Sequence, residues 1–182
     1  NFYRVSDLDN LGAELRPDGG VQFRLWAPEQ QRVRLVLEGR SDALPMTALA
    51  EGWHELVTNE AVAGTRYSFE LANNMQVPDP ASRYQPRDVH GPSEVIDPAS
   101  YQWRDASWRG RPWHEAVLYE MHVGAFTPEG TFQAAIERLD HLVDLGVTAV
   151  EVMPLADFPG ARNWGYDGVL LFAPDASYGR PE

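Results

Sequence analysis

The motif NWGYD at residues 163–167 combines aromatic and polar side chains in a way that suits a sugar ligand. The ring of Tyr166 or Trp164 can pack against the apolar face of a pyranose, and Asn163 and Asp167 can form hydrogen bonds with its hydroxyl groups. We therefore predict that these four residues contact substrate, with Tyr166 the strongest candidate. The alternative is that both rings only pack this segment against its surroundings. Arg162 and Tyr178 are weaker candidates, because a position on a solvated loop surface explains their residue types equally well.

Carboxyl groups are the second kind of residue that could do chemistry, because hydrolysis of a glycosidic bond generally requires two of them flanking the bond. The later part of the chain contains the acidic residues Glu115, Glu120, Glu129, Glu137, Asp140, Asp144, Glu151, Asp157, Asp167, Asp175 and Glu182. Glu120 and Glu151 fall inside predicted strands, where we expect each to be buried with a structural partner rather than catalytic. His122 is expected to be a core histidine rather than a base or a metal ligand.

The composition excludes several other classes of function. The net charge of −12 argues against nucleic acid and anionic membranes as partners. All fifteen basic residues are arginine and cysteine is absent, which excludes Schiff-base lysines, zinc–thiolate sites and disulfides from these 182 residues. No apolar run reaches the length of a membrane span. We expect a soluble, cytoplasmic protein that uses no cofactor and no metal, and we make no prediction of its oligomeric state.

The candidate residues follow a predicted strand–helix–strand unit. Residues 117–126 and 147–153 are mostly apolar on both faces, which is typical of strands in a parallel sheet that is covered on both sides. Between them, Thr131 is a predicted helix cap and Gly146 a predicted helix end. The apolar face of this helix is expected to pack on the sheet through Phe132, Ala135, Ile136, Leu139, Leu142 and Val143. The unit is a parallel crossover, for which right-handedness is expected.

After Pro154 no further long strand or helix is predicted, and a long structureless segment is usually functional or disordered. The segment follows the end of a strand. In barrels of eight strand–helix units, the active site lies on the loops at that end of the strands. Because residues 163–167 lie on such a loop, they become stronger candidates for substrate contact.

The first part of the chain has a different organisation, with short alternating strands predicted at residues 21–26, 32–37, 52–58 and 66–71. Repeated short strands of this kind favour an antiparallel sandwich. Residues 78–112 are rich in proline and predict an irregular connector. We expect its neighbouring aromatic residues to pack in a groove between two domains: Tyr84, Tyr101, Trp103, Trp108 and Trp113.

Three segments also carry a family resemblance: VLYEMHVGAFTPEGTF at residues 117–132, LGVTAVEVMP at 145–154 and DFPGARNWGYDG at 157–168. They closely resemble the start of the barrel in malto-oligosyltrehalose trehalohydrolases, which belong to the alpha-amylase superfamily. The segments GGVQFRLWAP at residues 19–28 and PDPASRYQP at 78–86 fit the same family. The resemblance covers nearly the whole chain.

The resemblance implies a multidomain β plus α/β protein. An N-terminal immunoglobulin-like β-sandwich is expected at residues 1–99, an aromatic-rich connector at 100–115 and the first strand–helix–strand part of a (β/α)8 barrel at 116–182. Because a closed barrel takes about 250 residues, the barrel is expected to be incomplete and the chain to be the N-terminal part of a longer polypeptide. Tyr166 resembles the superfamily tyrosine that stacks on the sugar before the scissile bond. The three catalytic carboxylates of the superfamily would lie beyond Glu182, so no catalytic residue is predicted here.

The activity that the resemblance implies is that of a retaining glycoside hydrolase. It would cleave the α-1,4 bond next to the terminal trehalose of maltooligosyl trehalose and release trehalose for trehalose biosynthesis, while this segment alone would be inactive. One alternative is an alpha-glucan branching or debranching enzyme of the same superfamily. Another is a non-catalytic glucan-binding module that uses Trp26 and Trp53, although core packing of these two rings is the favoured expectation.

Overall fold

Two antiparallel sheets make up the first part of the structure, a computed structural model that describes residues 11–182. The first sheet has the order β1 (Gly12–Leu15), β2 (Val21–Trp26), β6 (Trp53–Thr58) and β5 (Thr47–Ala48). The second has the order β4 (Leu44–Pro45), β3 (Arg34–Leu37), β7 (Arg66–Glu70) and β8 (Gln76–Val77), and β9 (Ser93–Glu94) also pairs with β7. Short 3-10 turns lie at Ala50–Gly52 and Trp113–Glu115.

Strict alternation of apolar and polar residues builds the core between these sheets. Val21, Phe23 and Leu25 are buried on β2 while the residues between them are half-buried. Phe23 meets Tyr67 of the second sheet edge to face, with ring centroids 4.8 Å apart. The predicted antiparallel strands are therefore confirmed within one or two residues of their bounds. The immunoglobulin-like topology and the three domain limits stay predictions.

A buried polar network fixes the PDPASRYQP segment to this core. The Tyr67 hydroxyl donates to Asp79 Oδ2 at 2.7 Å, and the Ala81 N–H donates to Asp79 Oδ1 at 2.8 Å. Because Asp79 is completely buried, desolvation raises the pKa of its carboxyl to about 6 despite these bonds. Arg83 Nη1 also donates to the Ala13 carbonyl at 2.9 Å. Part of the predicted connector is thus a fixed element of the sandwich.

The later part of the chain forms the predicted parallel pair. Strand β10 (Leu118–Met121) pairs in parallel with β11 (Ala149–Val152), and three short helices lie between them: α1 (Val123–Phe126), α2 (Phe132–Ile136) and α3 (Leu139–Asp144). Thr131 Oγ1 accepts from the Ala134 N–H at 3.2 Å, and Gly146 has a φ of +82°, so the predicted helix cap and helix end are confirmed.

Three expectations for this unit are wrong. The first strand stops at Met121, because the chain turns into α1 at Val123. The single predicted helix is two, because Arg138 has non-helical dihedral angles. Its apolar face packs only in part: Ala135 and Leu142 are buried, whereas the exposed members are Ile136, Leu139 and Val143. Most of β10 and all of β11 are exposed, since little else among residues 11–182 lies against the faces of this sheet.

The segment after Pro154 contains strands that the sequence did not predict. Strand β12 (Ala156–Asp157) pairs antiparallel with β13 (Leu170–Pro174). The irregular part is therefore the loop at residues 158–169, which we call the saccharide loop after the ligand that the sequence predicts for it. Two main-chain hydrogen bonds hold its base. The Val169 N–H donates to the Asp157 carbonyl and the Asp175 N–H donates to the Leu155 carbonyl, each at 2.8 Å.

The connector aromatics do not pack as predicted. Only Tyr84 is buried, and the exposed members are Tyr101, Trp103, Trp108 and Trp113. Tyr101 and Trp103 line an open groove of about 1140 Å³ together with Phe132 and Leu171. The groove exists, but these rings border it without filling it.

Candidate functional site

Asn163 shapes the saccharide loop from within. Its Oδ1 accepts a hydrogen bond from the Gly165 N–H and another from His122 Nε2 at 3.1 Å. Its Nδ2 donates to the Tyr178 hydroxyl at 3.4 Å. Because these contacts occupy both ends of its amide, Asn163 holds the loop in shape and has little capacity left for a ligand.

Tyr178 is buried in a second apolar cluster beneath the loop, and not on a loop surface. Its ring lies about 6 Å from the rings of its aromatic neighbours His122, Phe132 and Phe158. His122 is half-buried beside it, and its Nδ1 is buried without a hydrogen-bond partner. Among residues 11–182 no three acidic, histidine or cysteine side chains come together as a potential metal site.

The outer face of the loop presents the two predicted rings. The side chains of Trp164 and Tyr166 are 91% and 71% exposed. Asp167 Oδ2 accepts from the Trp164 N–H at 3.0 Å, so this carboxylate fixes the backbone beneath the ring. The faces of both rings are therefore open to a ligand, while neighbouring polar side chains hold the backbone that carries the rings.

A pair of buried carboxyl groups, which sequence reasoning did not single out, lies at the base of the loop. Asp175 accepts from the N–H groups of Phe158 at 3.2 Å and Ser177 at 2.8 Å, whereas Asp157 Oδ2 is buried without a partner. Burial and the neighbouring Asp175 carboxylate raise the pKa of Asp157 to about 7. Nothing in the sequence indicated this pair, because β12 and β13, in or beside which the two aspartates lie, were not predicted.

Glu120 and Glu151 lie directly opposite each other on β10 and β11. Both are exposed, so the expectation that they are buried is wrong. The physical reason is the open face of this two-stranded sheet. Like charges at opposed positions of a sheet are destabilising, and solvent reduces that cost here.

Two contacts connect the saccharide loop and the chain after it to the sandwich. The Gly160 N–H donates to Asp88 Oδ2 at 3.0 Å. Arg180 Nη2 donates to Glu94 Oε1 at 2.8 Å, and the Arg180 guanidinium lies 4.7 Å from the centre of the Tyr84 ring. Residue spacing alone did not predict either contact.

The structure thus combines two packed antiparallel sheets with a parallel strand–helix–strand unit that follows them in the chain. The comparison with known families agrees: residues 10–98 match the model of carbohydrate-binding module 48, described as the isoamylase N-terminal domain. Residues 10–98 are therefore similar to domains of this type.

Particular relatives define the resemblance further. The chain is 46% identical over 171 residues to the malto-oligosyltrehalose trehalohydrolase of Saccharolobus solfataricus, covering 94% of this chain and 30% of that protein. It is 35% identical over 190 residues to a 1,4-alpha-glucan branching enzyme of Streptomyces coelicolor, covering 94% of this chain and 26% of the enzyme. The resemblance to the N-terminal portion of malto-oligosyltrehalose trehalohydrolases is confirmed.

A solved structure from Salmonella typhimurium, described as an alpha amylase, superimposes with a TM-score of 0.90 at 54% identity over 94% of this chain and 29% of that one. The chain thus spans about 30% of the length of the relatives it matches. It is therefore similar to part of proteins named malto-oligosyltrehalose trehalohydrolase and alpha amylase. No helix among residues 11–182 has the length and apolar character needed to cross a membrane.

Proposed function

We propose that this chain supplies the N-terminal module and one substrate-binding loop of a retaining glycoside hydrolase. The enzyme releases trehalose from maltooligosyl trehalose by cleaving the adjacent α-1,4-glucosidic bond, in trehalose biosynthesis. The catalytic carboxylates lie outside these 182 residues, so the chain by itself is inactive. The residues that we assign to substrate contact are Tyr166 and Trp164 through their rings, and Asn163 and Asp167, whose side chains also hold the loop.

The observation that carries this proposal is the exposure of Tyr166 and Trp164 on a loop that is otherwise held by internal hydrogen bonds. Exposing two large aromatic rings is costly unless something covers them. The rings lie beyond the end of a parallel strand, where barrel enzymes bind substrate. The trehalohydrolase of Saccharolobus solfataricus is more similar to this chain than the branching enzyme of Streptomyces coelicolor, at 46% against 35% identity.

The reaction is tested by incubating maltooligosyl trehalose with this chain and with the longer polypeptide to which we assign it. Free trehalose should form only with the longer polypeptide. Trehalose release by the 182-residue chain would contradict the assignment of the carboxylates, and its absence with both would contradict the reaction.

The saccharide loop is tested in the same longer polypeptide with Tyr166→Ala. We expect kcat/KM to fall about 100-fold or more, because the ring packs on the sugar at the reacting bond. Tyr101→Ala is the matched control, since Tyr101 is also half-exposed but lies on the connector. Equal losses for the two variants would show that Tyr166 has no special role.

The branching or debranching alternative shares the same fold and is separated by products. New α-1,6 linkages, or linear chains released from a branched glucan, would favour it over trehalose release. The lower identity to the branching enzyme is the observation against it.

The second candidate function is glucan binding by the sandwich itself. Trp26 is 59% exposed, which contradicts the expected core packing, and it lies directly opposite Trp53 on β2 and β6. Trp53 is half-buried, with the Arg24 guanidinium 4.7 Å from its ring centre. Titration of this chain with maltoheptaose decides the question: weaker binding by Trp26→Ala than by Tyr166→Ala favours the sandwich as the binding surface, and the reverse favours the loop.

The proposal also includes domain limits and a location for the protein. We assign residues 1–99 to an immunoglobulin-like domain, 100–115 to a connector and 116–182 to the start of a (β/α)8 barrel, with a cytoplasmic location. The open faces of β10 and β11 support the barrel assignment, because later strands would cover them. Limited proteolysis should cut first within residues 100–115, and early cleavage within residues 21–58 would contradict these limits.

A further inference from the structure

One side chain of the sandwich region reaches the backbone of the saccharide loop. Asp88 Oδ2 accepts a hydrogen bond from the Gly160 N–H at 3.0 Å, although the two residues are 72 positions apart. Asp88 Oδ1 accepts from the Val89 N–H at 2.6 Å. Both carboxylate oxygens are therefore used, one to hold its own turn and one to hold the loop.

The turn that carries Asp88 is rigidly placed. Asp88 has a φ of +70°, a conformation that aspartate tolerates better than most residues. Its carbonyl accepts from the Gly91 N–H at 2.9 Å and from Gln85 Nε2 at 3.3 Å, and Gln85 is completely buried. The backbone of this turn is thus held by contacts within the sandwich region.

Gly160 lies three residues after the end of β12 and three residues before Asn163. Gly160 itself is exposed and has a φ of +84°. The other anchors of the loop are the hairpin base and the contacts of Asn163 to the second apolar cluster. The bond to Asp88 is an additional anchor, and the sandwich region supplies it.

We propose that Asp88 is a positioning residue that orders the saccharide loop, so that the sandwich presents Trp164 and Tyr166 to substrate. The ordering of the loop follows from the contact itself, whereas its effect on saccharide rests on the proposed function. Asp88 acts through the Gly160 backbone and touches no substrate. A loop ordered before binding loses less conformational entropy when the sugar arrives.

The electrostatics agree with this role. The N–H groups of Gly160 and Val89 lower the pKa of the Asp88 carboxyl, so it stays ionised at neutral pH. A hydrogen bond to an ionised acceptor is stronger than one between neutral groups.

The test compares amide hydrogen exchange in this chain for Asp88→Gly, Asp88→Asn and Asp97→Gly. Glycine adopts the backbone angle of residue 88 without strain, and asparagine tolerates it and keeps one acceptor oxygen. Asp97 is the matched control, because its carboxylate also accepts a nearby backbone N–H, from Ala99 at 2.9 Å, but is not bonded to the loop. Exchange at β2 checks that each variant keeps its sandwich.

We expect residues 158–169 of Asp88→Gly to exchange about tenfold faster than in the unmodified chain, as the loss of one charge-assisted bond implies. Asp88→Asn should change less, and Asp97→Gly should leave the loop unchanged. Unchanged exchange in Asp88→Gly, with β2 still protected, would overturn the proposal.

Titration with maltoheptaose then separates this inference from the function on which it rests. If the unmodified chain binds, Asp88→Gly should raise Kd at least about threefold relative to Asp97→Gly, and an unchanged Kd would overturn the positioning role. If the unmodified chain does not bind while exchange still responds to Asp88, the loop ordering holds and the saccharide function fails.

Discussion

Arg180 and Glu94 form an ion pair between the end of the described chain and the sandwich, with Nη2 and Oε1 2.8 Å apart. Glu94 is 5% exposed, and Arg66 Nε lies 3.4 Å from its other oxygen. The same Arg180 nitrogen also donates to the more exposed Glu182 at 2.7 Å. Arg180 therefore pairs with two carboxylates in different environments, which allows a controlled comparison of the two pairs.

Glu94→Gln should lower the free energy of unfolding by about 1–2 kcal/mol, because it removes a buried charge that two arginines pair. Glu182→Gln should change it by less than about 0.5 kcal/mol, since solvent screens that pair. Urea denaturation measures both, and a double-mutant cycle with Arg180→Ala isolates the coupling. Equal effects for the two glutamates would show that burial of Glu94 has no energetic consequence.

Asp157 predicts a pH dependence of stability. Its pKa is about 7 in the folded chain, compared with near 4 for an unfolded aspartate. Between these values the folded state binds more protons than the unfolded state, so this group makes the protein less stable as pH rises from about 4 to about 7. Below about 4 and well above 7 its contribution no longer changes with pH.

The measurement is the urea midpoint of the unmodified chain and of Asp157→Asn at several values between pH 4 and 8. The amide has no charge to bury and does not titrate in this range. We expect the variant to gain stability relative to the unmodified chain as pH rises through this window. Asp140→Asn, an exposed position on α3, should track the unmodified chain. A constant difference between the Asp157 variant and the unmodified chain would refute the raised pKa.

Phe23 and Trp26 on the same strand should differ sharply in their effect on stability. Phe23→Ala removes a completely buried ring and is expected to cost about 3–5 kcal/mol. Trp26→Ala should cost less than about 1 kcal/mol, because the ring is 59% exposed and its one described hydrogen bond, to the Glu51 carbonyl, is also exposed. Chemical denaturation of both variants measures the difference. A large loss from Trp26→Ala would mean that the ring belongs to the core after all.

Thr131→Ala should destabilise the start of α2 by about 1 kcal/mol, because the Ala134 N–H loses its acceptor. Thr131→Ser keeps the hydroxyl and serves as the control. Thermal unfolding of the three proteins, combined with exchange of the Ala134 amide, checks the result. Equal protection of this amide in the alanine and serine variants would show that the cap does not act.

The parts of the fold that local sequence predicts are those with strict periodicity. Strand β2 was predicted at its observed bounds, because Val21, Phe23 and Leu25 alternate with polar residues and each finds a place in the core. The helix after Thr131 was predicted as one element because its apolar residues recur regularly. That recurrence cannot show that Ile136 and Val143 remain exposed or that Arg138 interrupts the helix.

For the candidate site, residue types were predictable and contacts were not. Exposed aromatic rings at positions 164 and 166 follow from a polar, glycine-containing segment after a strand. The bond from Gly160 to Asp88 and the pairing of Asp157 with Asp175 join residues far apart in the chain, so no local spacing encodes them. For Trp26 the residue type was misleading. Tryptophan is usually buried, so core packing was expected, but this ring is exposed at the end of β2.

The attachments at Asp88 and Glu94 lie on one short stretch of the sandwich, and Trp26 is outside that stretch. In the sequence, Gly160 precedes Trp164 and Arg180 follows Tyr166, so these two bonds connect the sandwich to the chain on both sides of the exposed rings. A displacement of residues 88–94 would be transmitted to the Gly160 backbone and to the Arg180 side chain. A polysaccharide bound elsewhere on the sandwich would then shift the loop without touching it.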